Sequence, residues 1–196
     1  AERTRPGMKR GRRMTPIVWR NAQSGDEEAL SLLGQATFLA TFAFDHPGPA
    51  LIRFLKELHS PEFYAAKLAN PDIDIIIGET PLGAPVAYAM LCPPEHPDYQ
   101  REGDWELKRI YLLGPWQGGG NGAALLQHAI DIAHKRQARR LLLAVYENND
   151  RAIGFYKKHG FAKIGDTIFM VDDVQFSDML LAKDLGRELL HSDAEV

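Results

Sequence analysis

One stretch, Trp105 to Gly122 (WELKRIYLLGPWQGGGNG), constrains the fold of this chain more than any other. Glu106 to Leu113 alternates and then runs apolar through Ile110, Tyr111, Leu112 and Leu113, which predicts a strand buried over its second half. Gly114-Pro115 ends it. In Gln117-Gly118-Gly119-Gly120-Asn121-Gly122 few side chains are bulky enough to keep a ligand off the backbone, so several N–H groups can turn toward one anion. Leu125, Leu126, Ala129, Ile130 and Ala133 then recur at helical spacing, which sets the glycines on a helix N-terminus whose partial positive charge favours phosphate. Strand, glycine turn and helix together predict a pyrophosphate cradle.

Three phosphate patterns compete for this turn. A nucleotide P-loop ends in Gly-Lys-Ser/Thr, and no glycine of the turn is followed by lysine, which excludes it. The dinucleotide fingerprint G-x-G-x-x-G/A is met by Gly118, Gly120 and Ala123, with Glu147 at a tolerable distance for a ribose contact. It normally opens its fold, however, and here roughly a hundred residues precede it while too few follow to build the remaining strands. The third pattern, Q/R-x-x-G-x-G/A, is met by Gln117, Gly120 and Gly122.

Arg140 to Tyr146 (RLLLAVY) predicts the next strand, and the segment Asn149 to Phe161 fits N-x-x-A-x-x-F-Y-x-x-x-G-F. The glycine turn resembles motif A, and the asparagine segment motif B, of the GNAT superfamily of N-acetyltransferases. The resemblance implies an α/β (α+β) fold: a mixed, mostly antiparallel central sheet, splayed at its central strands and flanked by helices. It implies acetyl-coenzyme A as cosubstrate, with the pyrophosphate on Gln117, Gly118, Gly119, Gly120, Asn121 and Gly122. The pantetheine arm would pair with the central strand near Ile110, Tyr111 and Leu112, with Leu112 as the N–H aimed at the thioester carbonyl. Gly119 and Asn121 stand where the family commonly has a basic and an aliphatic residue. The C-terminal run Asp173 to Lys183 and Leu107 to Leu112 look similar to the polyamine-acetylating branch of bacterial members.

An amine of pKa ~10.4 must lose a proton before it attacks, at a cost of about 4 to 5 kcal/mol at neutral pH, so a base is needed nearby or through water. The resemblance points to Glu106; the residues alone equally allow a solvated carboxylate paired with Lys108. Tyr156 matches the motif B tyrosine that protonates the leaving thiolate, although Ala152, Phe155, Tyr156 and His159 also form the stripe of a packed helix face. Asn149 matches a residue that contacts the coenzyme, and Asn149-Asp150 equally suits a helix cap, with Asp150 in that role. Lys135, Arg136, Arg139 and Arg140 close the motif A helix, where they complement its dipole or clamp a coenzyme phosphate.

The lone Cys92 excludes an internal disulfide and suits a reducing compartment. No apolar run reaches the ~20 residues that span a bilayer, so a cytoplasmic protein with no membrane partner is expected. Residues 1–13 hold six basic side chains and no apolar anchors, which reads as a disordered extension rather than a nucleic-acid site. The seven histidines lack paired spacing, so no metal site is expected.

In chain order, residues 15–185 form the expected domain, between extension 1–14 and tail 186–196. Ile17 to Arg20 predicts a strand and Glu27 to Ala43 a helix weakened by Gly34, followed by a broken helical region, Leu51 to Leu58 and Pro61 to Leu68. Asp74 to Gly78 and Pro85 to Leu91 join Glu106 to Leu113 in an antiparallel meander, and Phe161 to Ile164 and Gln175 to Leu181 supply a last pair of strands. Lys183 to Leu190 is a tail or short helix. Acceptor specificity is expected in Gly34 to Leu68 and in loops Cys92 to Asp104 and Asp166 to Val174. Edge-strand exchange near the C-terminus makes a homodimer an expectation. The activity expected is direct acetyl transfer to a primary amine, on a small molecule, a polyamine or a protein; the alternative is a non-catalytic acyl-coenzyme A-binding regulator.

Overall fold

The computed structural model describes residues 16–186, so the basic extension and most of the tail lie outside the described residues. A seven-stranded sheet has the order β1-β2-β3-β4-β5-β7-β6. Its strands are β1 Val18–Asn21, β2 Asp74–Glu79, β3 Pro85–Cys92, β4 Asp104–Leu112, β5 Arg140–Tyr146, β6 Ala162–Val171 and β7 Val174–Asp184. All neighbours are antiparallel except β4 and β5. That topology removes the dinucleotide-binding alternative, which needs a parallel doubly wound sheet.

Helices α1 Glu27–Phe42, α2 Gly48–Leu58 and α3 Pro61–Leu68 cover one face, and α4 Asn121–Lys135 and α5 Asp150–Lys158 the other. The period-2 alternation of β3 divides the two cores. Ala87, Ala89 and Leu91 meet Leu125, Leu126, Ala129 and Ala133 of α4, and small residues on both sides let helix and sheet approach closely. Tyr88 and Met90 point the other way, against Leu30, Leu33 and Tyr64.

Gly34 does not break α1, contrary to the helix penalty that glycine carries. A Cβ there would lie 2.4 Å from His59 Nδ1 and 2.5 Å from the Tyr64 hydroxyl, so the glycine admits the buried polar groups of the α2–α3 junction. Ser60 caps α3 by accepting from the Phe63 N–H, with Pro61 following as expected.

Two expectations need correction. Asp166 to Val174 is not a loop: β6 runs to Val171 and turns through Asp172 (φ +57°) and Asp173 directly into β7. Phe169 and Val171 pack into the α2 core while Ile168 and Met170 on the other side are exposed, so apolar residues fall on both faces and no polar–apolar alternation marks the strand. Lys183 and Asp184 close β7 rather than begin a tail or helix.

Gly34→Ala separates propensity from packing. Propensity alone would stabilise the helix by about 1 kcal/mol, whereas overpacking of this kind costs roughly 1–3 kcal/mol. The urea midpoint is therefore expected to fall; an unchanged or higher midpoint would refute the close approach.

Candidate active site

Strands β4 and β5 pair only at Asp104↔Arg140, Trp105↔Leu141 and Glu106↔Leu142. Beyond that apex they part, and the gap opens into a cavity of about 1270 Å³. The apex is clamped by a buried bidentate ion pair, Arg140 Nε to Asp104 Oδ1 at 2.9 Å and Nη2 to Oδ2 at 2.6 Å.

The Leu113 N–H bonds Val86 O on β3 at 2.9 Å. Successive strand residues alternate sides, so the Tyr111 N–H also faces β3 while those of Leu112 and Ile110 face the gap. The Leu112 carbonyl, on the gap side, accepts from Gln117 Nε2 at 3.1 Å. Ile110 and Leu112 thus present N–H groups to the gap that no neighbouring strand pairs.

At the mouth of the gap, Gly118, Gly119 and Gly120 all have positive φ (90°, 59° and 87°), which explains why glycines stand there. A Cβ on any of them would meet nothing within 4 Å, so the turn lies open. Among the described residues no acceptor reaches the N–H groups of Gly118, Gly119, Gly120, Gly122 or Ala123, and α4 has no side-chain cap. Asn121 differs: its side chain donates to Trp116 O at 3.0 Å and closes the turn. Arg151, absent from the expected site, donates to Gln117 Oε1 at 2.7 Å and brings a cation beside the cradle. No motif position marks it, because only the folded turn sets α5 next to Gln117. Lys135, Arg136, Arg139 and Arg140 sit at the opposite end of α4, where Arg136 pairs with Asp74 and Arg140 with Asp104. They form no clamp at this cradle.

Asn149 caps α5 by accepting from the Ala152 N–H at 3.1 Å; the cap is not Asp150. Tyr156 lies in the core with Ile153 and Phe161 and also lines the cavity. Its hydroxyl has no protein hydrogen bond among the described residues, and burial, with the Tyr111 phenol beside it, pushes its pKa above the ordinary range. Phe155 is partly buried; it packs against that core and lines the cavity.

Glu106 is 1% exposed, so it is not a solvated carboxylate. It accepts from the Glu95 N–H at 3.1 Å and lies 3.2 Å from both His96 Nε2 and Lys108 Nζ. Burial works to raise its pKa, but His96, Lys108 and the Glu95 amide together outweigh it and hold the carboxyl below its usual value. Asp178 on β7 lines the same cavity, and burial, reinforced by Glu147 and opposed by Lys108 and His96, raises it to about 6. Sequence pattern gave it no prominence, because an aspartate on a late strand belongs to no motif.

The outer wall on the α1 and α2 side is aromatic: Phe38, Phe42, Phe54, Phe169 and Phe176. Tyr146 donates to Asp45 at 2.8 Å, and His46 stacks on Phe176 at 3.6 Å, tying the α1–α2 turn over the strand ends. Arg53 on α2 pairs with Asp172 at the tip of the β6–β7 hairpin.

Residues 38–161 match the model of the Acetyltransferase (GNAT) family. The chain belongs to that family. This acetyltransferase is 26% identical over 157 residues to an uncharacterized N-acetyltransferase of Lactobacillus delbrueckii subsp. lactis, spanning 78% of this chain and 88% of that protein. A spermine/spermidine N(1)-acetyltransferase of Bacillus subtilis is 29% identical over 87 residues, 44% of this chain and 57% of its own length. The fold is shared with a PaiA N-acetyltransferase from Thermoplasma acidophilum solved with coenzyme A, at TM-score 0.71 and 21% identity over 86% of this chain and 99% of that one. Among the described residues no helix is long and apolar enough to cross a membrane, and no group of three or more metal-ligating side chains gathers.

A carboxylate with a depressed pKa contributes stability that is full above the unfolded value and lost as pH falls through the folded one. Glu106→Gln is therefore expected to lower stability at pH 7 by about 1–3 kcal/mol, with the deficit fading below about pH 4. Urea unfolding across pH 3.5–7.5 checks this, and a pH-independent deficit would contradict it.

Proposed function

We propose that this GNAT enzyme transfers the acetyl group of acetyl-coenzyme A to a primary amine, by direct attack while both substrates are bound. The observation that carries this is the V between β4 and β5, with a free strand edge on one arm and unpaired N–H groups at its mouth. Both features fit the cosubstrate. Gly118, Gly119, Gly120, Gly122 and Ala123 would hold the pyrophosphate through their N–H groups at the positive end of α4, with Arg151 supplying the cation that Gly119 does not. Gln117 and Asn121 brace the turn from within, and Asn149 fixes the start of α5 beside it. Ile110 and Leu112 would pair with the pantetheine arm as an added strand does, which leaves Tyr111 facing β3. Bound acetyl-coenzyme A supplies the reactive thioester.

The Leu112 N–H is the donor for the carbonyl oxygen of that thioester. Tyr156, a phenol that stays protonated throughout the working pH range, donates to the departing sulfur. Glu106 keeps its anion bonded to three partners, and we assign it to fixing the 93–103 loop and the start of β4 beside the cleft. Cys92 takes no covalent part: its thiol is buried and pushed up to about 12 by burial and by Glu106. Aromatic side chains around buried carboxylates suit an ammonium group carried on an apolar body, for which small amines and polyamines are the first acceptors to screen.

Thermal unfolding with acetyl-coenzyme A, coenzyme A and NAD in parallel tests the reading. Acetyl-coenzyme A at roughly 100 times its Kd stabilises by about 2.7 kcal/mol, and NAD should give no shift. Tyr156→Phe is expected to keep that shift while losing about 100-fold or more in amine-dependent thiol release. A shift with NAD alone would overturn the proposal.

A further inference from the structure

The base that receives the acceptor's proton remains unassigned, and the two cavity carboxylates differ in how free they are. Glu106 stands at the apex of the V, level with the last β4–β5 pair. Asp178 stands opposite Tyr146, four residues along β5 from Leu142, which at ~3.3 Å per residue is about 13 Å up the gap. That height matches Ile110 and Tyr111 on the other arm.

Leu142 pairs with Ala182 and Tyr146 with Asp178 in an unbroken register, so Glu106 and Asp178 project from the same face of the sheet, the one beneath α1 and α2. Ala144 and Tyr146 on β5 line the same cavity on this face, with Tyr146 directly opposite Asp178. Asp178 is 7% exposed, and among the described residues no hydrogen bond or ion pair reaches its carboxylate. The sealed side-chain atoms without a partner among those residues are His59 Nε2 and Trp116 Nε1, so the Asp178 oxygens stay open to the cavity and free to meet a ligand. A bound cation or N–H donor in the cavity would complete the carboxylate.

We propose that Asp178 is the catalytic base: it faces the acceptor's ammonium group from β7 and takes its proton. This rests on the acetyl-transfer reading above. One proton passes from the ammonium group to the Asp178 carboxylate, leaving a neutral amine. The N–C bond then forms as the thioester C–S bond breaks. Tyr156 gives its proton to the sulfur and regains one from the new amide nitrogen, and Asp178 returns its own to solvent. The sum is one amide, one thiol and one released proton.

The groups facing Asp178 are Tyr146 opposite it on β5 and Glu147 just after, Lys108 and Tyr111 on β4, and His96 in the loop before β4. Their opposed charges leave burial dominant, so the carboxylate is ionised only above about pH 6. Rate should fall as pH drops through that value. Glu106, held low by its donors, would place no such limb there.

Asp178→Asn keeps the shape and removes the base. Its amine-dependent kcat/KM is expected to fall 100-fold or more at pH 7.5, with the limb near pH 6 abolished and the thermal shift with acetyl-coenzyme A unchanged. A second readout needs no turnover. An unpaired ionised carboxylate opposes folding above pH 6 and ceases to do so once protonated, so the variant's Tm should exceed wild type by a few degrees at pH 7.5 and match it near pH 4. A merely structural aspartate predicts the opposite sign. Retained kcat/KM with the limb in place, or a Tm deficit at pH 7.5, would overturn the assignment. Failure of the wider reading is distinct: wild-type protein would show neither thiol release with any amine nor stabilisation by acetyl-coenzyme A, and Asp178 would fall with it.

Discussion

The site depends on two strands held together at one end and driven apart beyond it. Asp104 and Arg140 are register partners, and their buried bidentate pair closes the apex of the β4–β5 V. A buried pair of this kind contributes little net stability against an apolar substitute, but losing one partner strands the other charge, so it fixes geometry more than it adds energy. Just past the apex, the register between β3 and β4 shifts at Met90/Leu91. A bulge of this sort bends the strand, so β4 follows β3 and leaves β5 to follow β7. Everything proposed for the chemistry lies in the resulting gap.

The gap also sorts the groups around it by face. The α4 and α5 side brings the glycine turn, Asn149 and Tyr156, while the α1 and α2 side brings aromatic walls, Glu106 and Asp178. The proposed cosubstrate groups and the proposed acceptor groups thus lie on opposite faces of the sheet, on either side of the opening. Two carboxylates on one face with pKa values pushed apart, one by donors and one by burial, are the pattern expected where a fixed anion and a working base divide the labour.

Much of this was legible in the sequence. Glycines with free N–H groups before an apolar helix, and the boundaries of β5 and α3, follow from local chemistry that the chain states in contiguous residues. The site residues themselves divide. Leu112 and Ile110 differ from Tyr111 only through the direction of their N–H groups, which requires the β3 register and is absent from any single strand. Asp178 and Arg151 gain their positions from partners distant in the chain. The last strand pair was legible but its extension through 166–174 was not, because Ile168 and Met170 put apolar residues on the exposed face as well, and Gly34 misled because its value is in close packing rather than in propensity.

The measurement that tests the account most directly is backbone amide hydrogen exchange, residue by residue, with and without saturating acetyl-coenzyme A. Slowed exchange is expected at Ile110 and Leu112 and at Gly118, Gly119, Gly120, Gly122 and Ala123, with Tyr111 and Leu113, already bonded toward β3, unchanged. Protection confined to other strands, or no change at Ile110 and Leu112 despite binding, would contradict the claim that the open edge of β4 holds the cosubstrate.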